Sequence, residues 1–125
     1  MEDFLAHCPE FRQREQDYEP SPDRVQQIAA ADGDLRLEIF FGSWCAHCQE
    51  VLPQLFKCLR LADNPKLQVR MIGLPRSFGR EPEVQARSIR GVPTVIVMRG
   101  NVEVGRFSAS QKSPIEDTLA QFIGG

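Results

Sequence analysis

Apolar positions change their spacing several times along the chain, and each change marks an element. Phe4, Leu5, Cys8, Phe11 and Tyr18 form one stripe at helical intervals among many charges, which predicts a helix over residues 1–18. Pro20-Ser21-Pro22 stops it. Val25, Ile28 and Ala29 predict a second helix over about 22–31, with Ser21 or Asp23 at its cap. Asp32-Gly33-Asp34 is a turn, so residues 1–34 read as a helical preamble.

The pattern then shortens. Leu35 to Phe41 is a compact apolar run with β-branched and aromatic members, interrupted by Glu38, and predicts a buried strand. From Ala46 to about Ala62 the helical spacing returns, with Val51, Leu52, Leu55, Phe56, Leu59 and Leu61 on a wide apolar face. Pro53 falls inside this helix and is expected to kink it. Asp63-Asn64-Pro65 closes it, and the alternation of residues 67–74 predicts a second strand. A loop over 75–80 leads to a short helix at about 82–89, broken by Gly91-Val92-Pro93. Thr94 to Met98 is the clearest strand, Arg99-Gly100-Asn101 a hairpin turn, and 102–107 the return strand. Ser113 and Pro114 open a last helix, 114–123, as cap and first residue.

The order from residue 35 is strand, helix, strand, helix, hairpin, helix. Alternating units imply a parallel pair, and the hairpin adds an antiparallel edge. The fold class is therefore α/β, a four-stranded mixed sheet flanked by helices. A chain of 125 residues is expected to form a single domain, with 1–34 as its N-terminal extension and 35–123 as its core.

Composition narrows the function. Fifteen basic residues stand against 17 acidic ones, a formal charge of -2, which gives no electrostatic case for nucleic acid or an anionic membrane. No apolar run is long enough to span a bilayer. Met1-Glu2-Asp3 is acidic where a signal peptide would be basic, so the expected location is cytoplasmic. A monomer is expected. Four cysteines are too few for a disulfide scaffold. In a reducing compartment a C-x-x-C pair points to catalysis or metal before structure.

Cys45 and Cys48 make that pair, in Phe40-Phe41-Gly42-Ser43-Trp44-Cys45-Ala46-His47-Cys48. They stand where a strand hands over to a helix. Backbone N–H groups and the helix dipole favour negative charge at such a place. The thiolate is the reactive form of cysteine, and helix N-termini lower thiol pKa values. The spacing puts two sulfurs within bonding reach in the first helical turn.

Over residues 35–123 the chain resembles the thioredoxin family. Trp44-Cys45-Ala46-His47-Cys48 is similar to the family's W-C-x-x-C site. Pro53 falls where thioredoxins kink the active-site helix, and Ile89-Arg90-Gly91-Val92-Pro93-Thr94 resembles the I-R-G-I-P-T segment whose proline is cis. The chain departs from the pattern at Ile39, where the family has a buried aspartate, in Ala46-His47 for Gly-Pro, and at Ala109, where the family has a glycine.

The resemblance implies a thiol–disulfide oxidoreductase. Cys45 is the expected exposed nucleophile and Cys48 the deeper, resolving thiol. His47 and Trp44 tune the pair, His47 towards a more oxidising couple than thioredoxin. Trp44, Val92 and Pro93 form the substrate rim, with a cis Pro93 exposing the Val92 backbone to an extended peptide. The implied partners are disulfide-containing proteins or small disulfides, with a recycling reductase or oxidant. No cofactor beyond the dithiol and no metal is expected, the set His7, Cys8, His47 and Cys48 being required by no spacing. An adaptor or redox sensor without turnover is the alternative. Cys58 is expected as a buried small hydrophobe, with a Cys8–Cys58 disulfide as the other option. Glu38 is expected on the surface, with a proton relay as the other option. Arg76, Arg80, Arg87 and Arg90 are expected on solvated faces.

Overall fold

The structure is a computed structural model that describes residues 11–31, 33–42, 45–108 and 115–123. The elements in order are α1 (Phe11–Asp17), α2 (Pro22–Ala30), β1 (Leu35–Phe41), α3 (Ala46–Ala62), β2 (Leu67–Gly73), a 3-10 turn (Phe78–Arg80), α4 (Pro82–Arg87), β3 (Thr94–Arg99), β4 (Val102–Ser108) and α5 (Ile115–Ile123). The 3-10 turn lies within the expected loop. α4 is shorter than its apolar spacing predicts because Ser88 takes a left-handed conformation, φ 56°, and ends the helix. The cap expected at Ser113-Pro114 and the position of Ala109 lie outside the described residues.

The strands form one sheet in the order β2-β1-β3-β4. β1 runs parallel to β2, with Leu35 opposite Leu67 and Phe41 opposite Gly73. It runs antiparallel to β3, with Ile39 opposite Val95, and β3 and β4 make the hairpin. The hairpin turn is Gly100-Asn101, and Gly100 has φ 62°, a left-handed conformation that glycine adopts without strain. This is the mixed sheet that the element order implies.

Strand alternation sorts β1 onto two cores. Leu35, Leu37, Ile39 and Phe41 face α2, α3 and α5, where they meet Ile28, Cys48, Leu52, Leu55, Cys58, Leu119 and Ile123. Phe40 points the other way and packs with Ile96, Met98, Val84 and Ile89 around α4. Central position in the sheet, with helices on both faces, explains why this strand reads as an almost unbroken apolar run.

Glu38 also points to the α4 side, and here the structure corrects the expectation of a surface residue. It is only 3% exposed. Its carboxylate accepts from Arg70 at 3.1 Å and from Arg87, with Arg36 at 3.8 Å. Burial pushes this carboxyl up, but the Arg87 and Arg70 hydrogen bonds and the charges of Arg87 and Arg36 outweigh it, and its pKa lies below the ordinary value. Arg87 is likewise not merely on a solvated face. It bridges α4 to Glu38, and its carbonyl accepts from Arg106 of β4 at 2.8 Å.

The helices before the sheet are tied to the core by polar groups. Glu116 of α5, 3% exposed, accepts from the Tyr18 hydroxyl and from the Ser21 N–H at 2.7 Å. The Asn64 amide donates to the carbonyls of Ile28 and Ala31, each at 2.9 Å, and closes the end of α2. α1 lies along α3 through Arg14, Glu15 and Gln16.

Candidate active site

β1 ends at Phe41, and the chain reaches the start of α3 within a few residues. Cys45 is the N-cap of α3, with extended backbone angles of φ -89° and ψ 121°. Its sulfur does what an N-cap oxygen does elsewhere: it accepts a helix N–H, that of Cys48, at 3.4 Å. The N-cap position puts this sulfur at the positive end of α3.

Cys48 sits one turn into α3 and is fully buried. Its sulfur accepts the Gly42 N–H at 3.5 Å. Burial pushes the Cys48 thiol up to about 12, with the neighbouring Cys45 sulfur adding to the rise and the Gly42 N–H opposing it. The two thiols therefore have different surroundings. Cys45 caps the helix and, contrary to the expectation of an exposed nucleophile, is only 8% exposed because the Val92 segment lies against its sulfur, whereas Cys48 is fully buried one turn on. Both are free thiols in this structure.

The segment before β3 closes the site from the side. The Val92–Pro93 peptide bond is cis. The Cys45 thiol donates to the Val92 carbonyl oxygen at 3.6 Å, across 47 residues of sequence. Thr94 secures the same turn, its hydroxyl donating to the Gly91 carbonyl at 2.7 Å. Pro93 is buried and Val92 is half-buried. The structure thus brings Cys45, Cys48, Val92 and Pro93 together. Trp44 lies outside the described residues. His47 belongs to the first turn of α3, with its side chain outside what is described.

Two features of the neighbourhood bear on proton transfer. Ile39, one of the departures from the family the chain resembles, is fully buried in the core that holds Cys48. Glu38, the adjacent carboxylate, is on the opposite face with its arginines, so it is not the proton relay considered as the other option for it. Cys58 is a fully buried free thiol, as expected of a small hydrophobe, and burial pushes it up to about 12, with the charge of Glu116 adding to the rise; Cys8, its partner in the other option, lies outside the described residues.

One contact to the helix that carries the dithiol is not legible in the sequence. Arg14 donates to the Gln49 carbonyl in the second turn of α3, at 2.9 Å. The signal that could have pointed to it is Pro53, which has no N–H to offer that carbonyl.

The thioredoxin family model matches residues 22–123. Thioredoxin-1 of Drosophila yakuba is 24% identical over 98 residues, covering 78% of this chain and 88% of that one. An alkyl hydroperoxide reductase polypeptide of Xanthomonas campestris pv. phaseoli is 28% identical over 96 residues, or 77% of this chain, but the match spans only 17% of that longer protein. Among solved structures, a protein of unknown function from Pseudomonas aeruginosa superimposes with a TM-score of 0.66 at 18% identity, covering 99% of this chain and 76% of that one. A thioredoxin variant from Halobacterium salinarum superimposes with a TM-score of 0.54 at 26% identity, covering 78% of each chain.

Proposed function

The chain belongs to the thioredoxin family, and on that footing we propose that it is a thiol–disulfide oxidoreductase working through Cys45 and Cys48. The observation that carries the proposal is the capping sulfur: Cys45 Sγ at the head of α3, 3.4 Å from the Cys48 N–H and 3.6 Å from the Val92 carbonyl.

In the proposed reaction the Cys45 thiolate attacks one sulfur of a substrate disulfide. That S–S bond breaks, and the other substrate sulfur leaves with the electron pair and takes a proton. The mixed disulfide is resolved by Cys48, which attacks Cys45 Sγ. The Cys45–Cys48 bond forms, and the second substrate sulfur leaves, with the Cys48 proton going to it. The substrate gains two electrons and two protons, and the dithiol is oxidised. Burial of Cys48 suits the resolving role, since a thiol protonated at neutral pH does not compete for outside disulfides.

The substrate class is an extended peptide carrying a disulfide. Val92 and Pro93, with Trp44, supply its rim. His47 makes the couple more oxidising by favouring the reduced dithiol, Trp44 assisting. A recycling reductant or oxidant completes the cycle, in the cytoplasm under this reading. Catalysed reduction of insulin disulfides by the wild-type chain, lost in Cys45→Ser, supports the proposal. Binding of disulfide peptides with no turnover would replace it with the adaptor reading.

A further inference from the structure

Pro53 lies inside α3, four residues beyond Gln49. A proline has no N–H, so the bond that residue 53 would send to the Gln49 carbonyl is missing from the helical ladder. The Arg14 guanidinium reaches across from α1 and donates to that same carbonyl oxygen at 2.9 Å. α1 also holds α3 on the other side of the proline. Glu15 pairs with Arg60 at 2.8 Å, and the Gln16 carbonyl accepts from the Lys57 ammonium at 3.4 Å. Three consecutive residues of α1 therefore hold both halves of one helix, across the position where its ladder is broken.

The half before the proline carries Cys48 and is capped by Cys45. Its grip is the stronger one. The Arg14 bond is charge-assisted and part-buried, whereas Arg60 and Lys57 make exposed contacts of the kind that contribute little. We infer that α1 is a splint across Pro53 and that Arg14 is a positioning residue for the dithiol. It fixes the first two turns of α3, so that the Cys48 sulfur is held in line with the Cys45 sulfur. The inference rests on the dithiol reading above. The step it serves is the second one, in which the Cys48–Cys45 bond forms, the bond from Cys45 to the substrate sulfur breaks, and that sulfur leaves with the electron pair and the Cys48 proton. The first step engages Cys45 alone and does not depend on the alignment of Cys48.

The test compares wild type, Arg14→Met, which keeps the apolar stem, and Arg14→Lys, which keeps a cationic donor. Hydrogen exchange along α3 is one readout. Arg14→Met is expected to speed exchange at residues 49–52 by about tenfold while 56–62 stay as they were, with Arg14→Lys restoring most of the protection. Reaction of the reduced full chain with 5,5′-dithiobis(2-nitrobenzoate), each variant carrying Cys8→Ser and Cys58→Ala so that only the dithiol reacts, is the other. The first aromatic thiolate reports Cys45 attack and the second reports resolution by Cys48. In Arg14→Met the first phase is expected to stay within about twofold and the second to slow by about tenfold. Even acceleration of exchange along all of α3, or an unchanged ratio of the two phases, overturns the inference. If wild type releases no thiolate at all, the oxidoreductase reading falls, and the splint stands or falls on hydrogen exchange alone.

Discussion

Glu38 and Ile39 are neighbours on β1 that face opposite sides of the sheet, Glu38 into the arginines beside α4 and Ile39 into the core shared with Cys48. One residue of register separates a buried ion cluster from the core that holds Cys48. A carboxylate at position 39 would face the Cys48 side, and at 38 it serves the fold instead.

Glu38→Gln is therefore expected to lower stability with little effect on disulfide exchange. Removing one partner of a buried pair costs about 3–5 kcal/mol, but Arg70 is half exposed and can turn to water, so a loss of about 2 kcal/mol is expected. The folded pKa of Glu38 is lowered, so its contribution is present above the ordinary carboxylate pKa of about 4.3 and is lost as pH falls through the lowered value. Urea midpoints of wild type and Glu38→Gln should differ at neutral pH and converge in acid.

The reduced protein should lose stability on the alkaline side. Cys48 and Cys58 are both pushed up from 9.0 to about 12, chiefly by burial, so the folded state holds protons that the unfolded chain releases. Their contribution is full below about pH 9 and is lost as pH rises towards 12. Tyr18, raised by burial and by its hydrogen bond to Glu116, acts in the same direction. Denaturation midpoints between these pH values should fall less steeply for Cys58→Ala and for the oxidised protein.

Gly105→Ala is expected to destabilise the chain by about 1–3 kcal/mol, as overpacking does. A Cβ at Gly105 would lie 2.5 Å from the Phe122 ring, which stacks on Phe107 with centroids 6.2 Å apart. Thermal unfolding measures it, and pairing the change with Phe122→Leu should recover part of the loss.

Much of this fold is written in local patterns. The run from Leu35 to Phe41 and the stripe of α3 each state their element, because burial on one face or two imposes a period on the sequence, whereas the alternation of β2 marks its strand although Val69 is exposed at the sheet edge. The dithiol is legible for the same local reason, since C-x-x-C after a strand puts two sulfurs in one turn. What escaped was long-range and polar. Glu38 looks like an interruption until Arg70 and Arg87, 32 and 49 residues away, are brought onto it by the register of β2 and the end of α4. Arg14 looks like one charge among many on α1, and only the packing of α1 on α3 pairs it with the Gln49 carbonyl. Charged side chains carry no periodic signature of their partners.

His47→Pro tests the tuning role. Proline is tolerated in a first helical turn, so the helix should survive the change. Removing the imidazole is expected to lower the reduction potential by about 30 mV or more, a tenfold change in the equilibrium constant. An unmoved potential assigns His47 no part in tuning.

The proposed activity requires a reversible bond between Cys45 and Cys48. Equilibrating the chain in glutathione buffers, trapping free thiols by alkylation and mapping the peptides measures it directly. The expected result is one two-electron transition confined to these two sulfurs, at a potential above the roughly -270 mV of thioredoxin, with Cys58 reduced throughout. Absence of a Cys45–Cys48 disulfide across buffers from about -350 to about -150 mV would contradict it.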